Sequence, residues 1–81
     1  MKPVHVTWID ATSDDEWIDK ADWKNIHPHT IETFGWLVEE LETHVIICTS
    51  FDQEREAIAG RWAIPKSWLM QMREIKSDET L

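Results

Sequence analysis

His27 and His29 flank Pro28, with Asp22 and Glu32 a few residues to either side. Imidazoles and carboxylates are the usual protein ligands of transition metals, so metal chemistry is sought first in this segment. In an extended stretch, though, residues on either side of a proline project to opposite sides, and a structural site needs about four converging ligands. The segment therefore reads as a solvated loop that holds no metal. Lys66-Ser67 places an amine beside a hydroxyl, but a serine nucleophile needs a base aimed at its oxygen, and nothing nearby supplies one. Two glycines are too few for a phosphate-cradling loop, and no Ser-x-x-Lys, Gly-x-Ser-x-Gly or Cys-x-x-Cys element occurs. The chain is expected to be a non-enzyme without a cofactor.

Two other residue groups offer surfaces for binding. Asp14, Asp15, Glu16, Asp19 and Asp22 form an acidic run, and helical spacing would set Asp15, Asp19 and Asp22 near one face. Such a run is ordinarily a hydrated face, and its functional reading is mimicry of the phosphates of DNA. The second group is the six Trp. Trp8, Trp36 and Trp62 fall in strand-like segments and are expected in the core. Trp17, Trp23 and Trp68 fall in loops or turns, where exposed Trp anchors protein interfaces or stacks on bases. Arg61, Lys66 and Pro65 lie close to Trp68 in sequence, so an aromatic ring beside a cation could hold a nucleotide by stacking and phosphate pairing. The binding candidates are thus Trp17, Trp68, Arg61, Lys66 and Pro65.

Eighty-one residues make one domain. A chain this short buries only about 60–65% of the surface it exposes when unfolded, which leaves a thin stability margin. The single Cys48 excludes an internal disulfide. It lies in the apolar run Val45-Ile46-Ile47-Cys48 and reads as a small core residue in a reducing compartment. The N-terminus lacks a signal-type apolar stretch and no run is long enough to span a membrane, so a cytoplasmic location is expected. The net charge is −8 and its distribution is uneven. Residues 27–56 carry seven acids and one Arg, whereas residues 57–81 carry four bases and three acids. A chain this acidic repels phosphate backbones and anionic lipid, so neither nucleic acid nor membrane is an expected partner.

Positioning these groups falls mostly to strands. Val4-His5-Val6-Thr7-Trp8 alternates at period two, placing Val4, Val6 and Trp8 on one face. Asp10 to Asp15 breaks that strand. Ser13 and Glu16 have capping-box spacing, and Trp17, Ile18 and Ala21 predict a short helical turn that Pro28 ends. Thr30 to Glu40 reads as a strand in which Gly35 marks a bulge or a close backbone approach. Thr43 to Phe51 follows as its hairpin partner. Asp52 to Ala59 is a charged connection with room for a little helix. Gly60 opens a strand through Ile64 that Pro65 closes; Lys66-Ser67-Trp68 suits a 3₁₀ turn, and Leu69 to Ile75 a closing strand. His5 and His44 lie on strands as surface or rim residues. Residues 1–76 form the domain, and the polar tail 77–81 is expected to fray.

Five short strands, a long first loop and a 3₁₀ turn before the last strand predict a mainly β, five-stranded small barrel. Gly60-Arg61-Trp62-Ala63-Ile64-Pro65-Lys66-Ser67-Trp68-Leu69 resembles the Ile-Pro, turn, aromatic, apolar stretch of SH3 domains. The resemblance implies an SH3-like or Sm-like barrel, with Ile64 and Leu69 in the core and Pro65 and Trp68 at groove positions. The Ala-Leu-Tyr-Asp-Tyr signature and the groove Trp of SH3 domains are absent, so proline-rich peptide binding is not expected. Trp8-Ile9-Asp10-Ala11, Gly35-Trp36-Leu37-Val38 and Trp62-Ala63-Ile64-Pro65-Lys66 are similar to small, uncharacterised accessory proteins of tailed bacteriophages. That resemblance implies action in the cytoplasm of an infected bacterium.

The expectation is therefore a non-enzymatic accessory binding protein. It should self-associate into a homo-oligomer and act on a host protein or a small nucleotide-like ligand. An assembly component of the virion is the alternative, and an acidic DNA-mimic inhibitor the third reading.

Overall fold

The computed structural model describes residues 1–76; the expected fraying of the tail 77–81 lies outside the described residues. The strands are β1 (Lys2–Asp10), β2 (His29–Glu40), β3 (His44–Asp52), β4 (Ala57–Pro65) and β5 (Leu69–Glu74). All neighbours are antiparallel, and they form one sheet in the order β4-β3-β2-β1-β5. Among the described residues helix is confined to two 3₁₀ turns, Lys20–Asp22 and Lys66–Trp68.

The alternation in β1 does what period two requires. Val4, Val6 and Trp8 are buried on one face and pack with Val45 and Ile47 of β3 and Ile64 of β4. Ile31, Leu37, Leu69 and Met72 close the margins of this core. Strand β2 serves both halves of the sheet. Its residues from His29 to Leu37 pair with β1, whereas Trp36 to Glu40 pair with β3. At the changeover β2 and β3 approach closely. A Cβ on Gly35 would stand 2.6 Å from the Cys48 carbonyl oxygen, an approach that only glycine permits. The register slip follows between Leu37 and Glu39, so the bulge falls just after the glycine rather than on it.

The expected barrel is corrected by this topology: the sheet stays open, with β4 and β5 as its unpaired edges among the described residues. The physical reason lies in the linker. After Pro65 ends β4, the Lys66–Trp68 turn carries the chain past the end of the core to the outer side of β1. The Lys66 N–H donates to the Thr43 carbonyl at 2.9 Å, which ties this turn to the start of the β3 hairpin. Nothing then brings β5 against β4.

Other local expectations shift as well. The charged connection holds no helix; Asp52 Oδ1 accepts from the N–H groups of Glu54 and Arg55, and Glu56 takes a positive φ of 52°. Strand β4 starts at Ala57, so Gly60 lies inside it, with φ 69°. In the first loop the capping box does not form: Asp14 Oδ1 accepts the Glu16 N–H at 2.9 Å in a local turn, and the 3₁₀ turn that follows has no side-chain cap. Only Lys20–Asp22 coil there, so Asp15, Asp19 and Asp22 do not share a helix face.

Cys48 is fully buried, as expected, but on the face opposite to Val45 and Ile47, flanked by Trp36 and Arg61 in the ladder. Its thiol should resist an aromatic disulfide reagent in native protein and react fully once denaturant is added. Rapid labelling of the native state would show that Trp36 and Arg61 do not cover it.

Candidate functional site

The aromatic residues of the core face converge at one end of the sheet. Trp8 is 5% exposed, and its indole N–H donates to the Thr33 hydroxyl at 3.0 Å, which fixes the ring. Trp62 meets it edge-on at 6.2 Å and 64°, while Trp68 lies nearly parallel to it at 6.5 Å and 11°. Trp62 and Trp68 keep 45% and 40% of their surface in solvent. The result is a rigid aromatic rim: one buried indole holding two half-exposed ones, all restrained by strand or turn backbone. Trp68 also lines a cleft of about 370 Å³ with Ile9, Pro28, Leu69 and Met70. An apolar rim of two half-exposed indoles is suited to anchoring a partner side chain.

Pro65 lies away from this rim, lining a cleft with Thr43, His44 and Ala63, and Lys66 follows it at the start of the 3₁₀ turn. Both are half-buried, and Lys66 Nζ lies 3.1 Å from Glu40 Oε2, so its charge is already committed. Arg61 does not join the rim either. Alternation along β4 puts Trp62 and Ile64 toward the core and Arg61 and Ala63 on the opposite face, where they line a cleft with Ile46. The arrangement of an aromatic ring beside Arg61 is therefore not formed.

Trp17 stands apart from both faces. It is 101% exposed, at the tip of segment 11–28, which forms an arm between β1 and β2. The arm closes on itself at its base, where the Thr12 hydroxyl donates to the His27 carbonyl at 2.7 Å. Further out, the Trp23 indole N–H donates to the Ile18 carbonyl at 3.1 Å, and Lys20 Nζ sits 6.0 Å from the centre of the Trp23 ring. Asp14, Asp15, Glu16, Asp19 and Asp22 are all exposed along this arm. His27 and His29 lie at its exposed end, and among the described residues no three His, Cys, Asp or Glu side chains converge as metal ligands.

The structure also exposes an aromatic group that includes Trp36, which was expected in the core. Phe34 and Trp36 lie on the outer face of β2, 45% and 38% exposed, while Thr33, Gly35 and Leu37 face the core. The His5 ring stacks on Phe34 at 4.4 Å and 8°, and its Nε2 is 3.2 Å from Glu32 Oε1. His5 and His44 are half-buried rim residues, as expected. The signal for the outer group was present in β1: once Val6 is inward, antiparallel pairing forces Thr33 inward and Phe34 outward.

Among the described residues no helix is long and apolar enough to cross a membrane. No family model, curated protein or solved structure matches the chain.

Proposed function

We propose that the chain is a non-enzymatic binding protein that self-associates and engages a protein partner through the Trp62–Trp8–Trp68 rim. The observation that carries this reading is the rim itself: two half-exposed indoles held rigid by a buried third. Pre-ordered Trp is the commonest kind of interface anchor, because little side-chain entropy is lost on contact. The nucleotide-like ligand is the weaker choice, since Arg61 faces away from the rim and Lys66 is paired with Glu40. A net charge of −8 favours a basic partner.

In architecture, the sheet is read as an opened small barrel of the SH3-like or Sm-like kind. The meander order, the close approach at Gly35 and the 3₁₀ turn before β5 support it. The resemblance to phage accessory proteins supports action in the cytoplasm of an infected bacterium, on a host protein. Open edges at β4 and β5 favour a second reading, an assembly component of the virion.

The test is affinity capture from bacterial lysate with wild-type protein and Trp68→Ala in parallel, followed by titration of the captured protein. A true partner should bind Trp68→Ala at least about tenfold more weakly, while thermal melting of the variant reports any loss of fold. Equal binding by both proteins sinks the rim assignment. Fluorescence titration with mononucleotides checks the ligand reading; co-sedimentation with particles checks the virion reading.

A further inference from the structure

We propose that the arm 11–28 of one chain docks on the outer sheet face of a second copy, around Trp36, Ile46, Arg61 and Ala63, and that the exchange is reciprocal. The inference rests on the self-associating reading above and names the surfaces that carry it.

The arm is too long and too apolar to be a mere connection. Loops of more than about 12–15 residues without regular structure are uncommon in compact domains and are usually functional. This one carries Trp17, Ile18, Trp23 and Ile26, every one exposed, and buries none of them on its own sheet. It is nonetheless ordered, by the Thr12–His27 clasp, the Trp23–Ile18 hydrogen bond, and a hydrogen bond of 2.9 Å from the Asn25 amide to Asp22. An ordered arm that leaves Trp17, Ile18, Trp23 and Ile26 exposed presents an apolar surface with its entropy already spent.

Charge selects the face it meets. The arm bears Asp14, Asp15, Glu16, Asp19 and Asp22 against Lys20 and Lys24. Lys2, Arg55 and Lys66 each lie against a carboxylate of their own chain. Arg61 has no carboxylate within 4.0 Å among the described residues, and it borders a cleft of about 550 Å³ with Ile46 and Ala63. Trp36 lies two strands from Arg61 across Cys48 in the ladder, on the same face. This patch joins apolar surface to an unpaired cation; the arm joins apolar surface to an excess of carboxylates. Glu39, next to Ile46 in the ladder, borders the patch and suits the arm's lysines.

Area agrees. A Trp side chain offers about 200 Å², so Trp17 and Trp23 together expose about 300 Å² per chain. A reciprocal pair would cover about 600 Å² of Trp and a matching area beneath it, near the lower end of stable interfaces, about 1,200–2,000 Å². Reciprocity follows from two-fold symmetry, in which each chain donates the arm and accepts one.

Sedimentation velocity and native mass spectrometry of the full chain at micromolar concentration test this. Wild type should be a dimer or a multiple of one. Trp17→Ala/Trp23→Ala and Arg61→Glu should each weaken association at least about tenfold with the far-UV circular dichroism of the sheet unchanged, because all three side chains lie outside the core. Mixing the two variants should regain a heterodimer, since one intact arm then meets one intact face. A monomeric wild type, or dimers that survive both variants, overturns the proposal. Partner binding by the Trp68 rim is read separately by titration, so loss of self-association leaves that result standing, and the reverse.

Discussion

Trp8→Ala is expected to lower the melting temperature by about 15 °C or more, the largest effect of any single aromatic truncation in the chain. Removing a buried Trp costs about 3–5 kcal/mol, and about 1 kcal/mol shifts the melting point of a domain this size by roughly 4–8 °C. Three features push Trp8 to the upper part of that range. It is the contact between strand β1, strand β4 through Trp62, and the turn before β5 through Trp68. Its indole also satisfies the Thr33 hydroxyl. Few other large residues can compensate, because the fully enclosed core is confined to residues such as Val6, Val45, Ile47 and Ile64. Trp8→Phe should cost far less, about 1–2 kcal/mol, by keeping the ring contacts and losing the hydrogen bond. Thermal melting by circular dichroism decides the matter. A drop of only a few degrees in Trp8→Ala would mean that the aromatic trio sits on the fold without holding it.

The parts of this fold that were legible in the sequence are those set by local alternation. Val4, Val6 and Trp8 read as one face because no long-range fact is needed to place them. Pro65 and the Lys66–Trp68 turn were legible because proline and the following residues restrict the backbone directly. What the sequence hid was set by partners distant along the chain. Trp36 looked like a core residue because it is a large aromatic in a strand-like segment. The inner face instead holds Thr33, Gly35 and Leu37, selected by the register with β1. Barrel closure likewise depends on where β5 lands, and only the tie from Lys66 to Thr43 and the β1 ladder decide that.

The misassigned residues are also the ones available for binding. A chain of this length cannot enclose six indoles, so large apolar surface is left outside. It is distributed in three places: the Trp62–Trp68 rim, the outer face with Phe34 and Trp36, and the arm with Trp17 and Trp23. Scattered exposed apolar residues are ordinary in soluble proteins, but grouped and backbone-restrained ones are the mark of contact surfaces. On the readings proposed above, the rim meets a partner and the arm and outer face meet a second copy, which gives each of the three groups a role.

Gly35→Ala should destabilise the protein by about 3 kcal/mol, more than Gly60→Ala, although Gly60 has the positive φ. At Gly35 the added methyl would meet the Cys48 carbonyl oxygen at 2.6 Å and Ile47 Cγ2 at 2.7 Å. The first is backbone inside the β2–β3 ladder, and the second belongs to a fully buried side chain. Neither can move without separating β2 from β3, so the overpacking cost adds to lost ladder bonds. At Gly60 the obstacle is the Thr49 side chain, which is exposed and can rotate, giving up its bond of 3.3 Å to the Ala59 carbonyl. There the left-handed backbone sets the cost, about 1–2 kcal/mol. Denaturant unfolding of both variants gives the ranking, and amide exchange locates the damage. Gly35→Ala should lose protection across Trp36–Glu40 and Val45–Cys48 together, whereas Gly60→Ala should lose it only along the β4 edge. The opposite ranking would show that the close approach of Gly35 to Cys48 and Ile47 does not limit packing between β2 and β3.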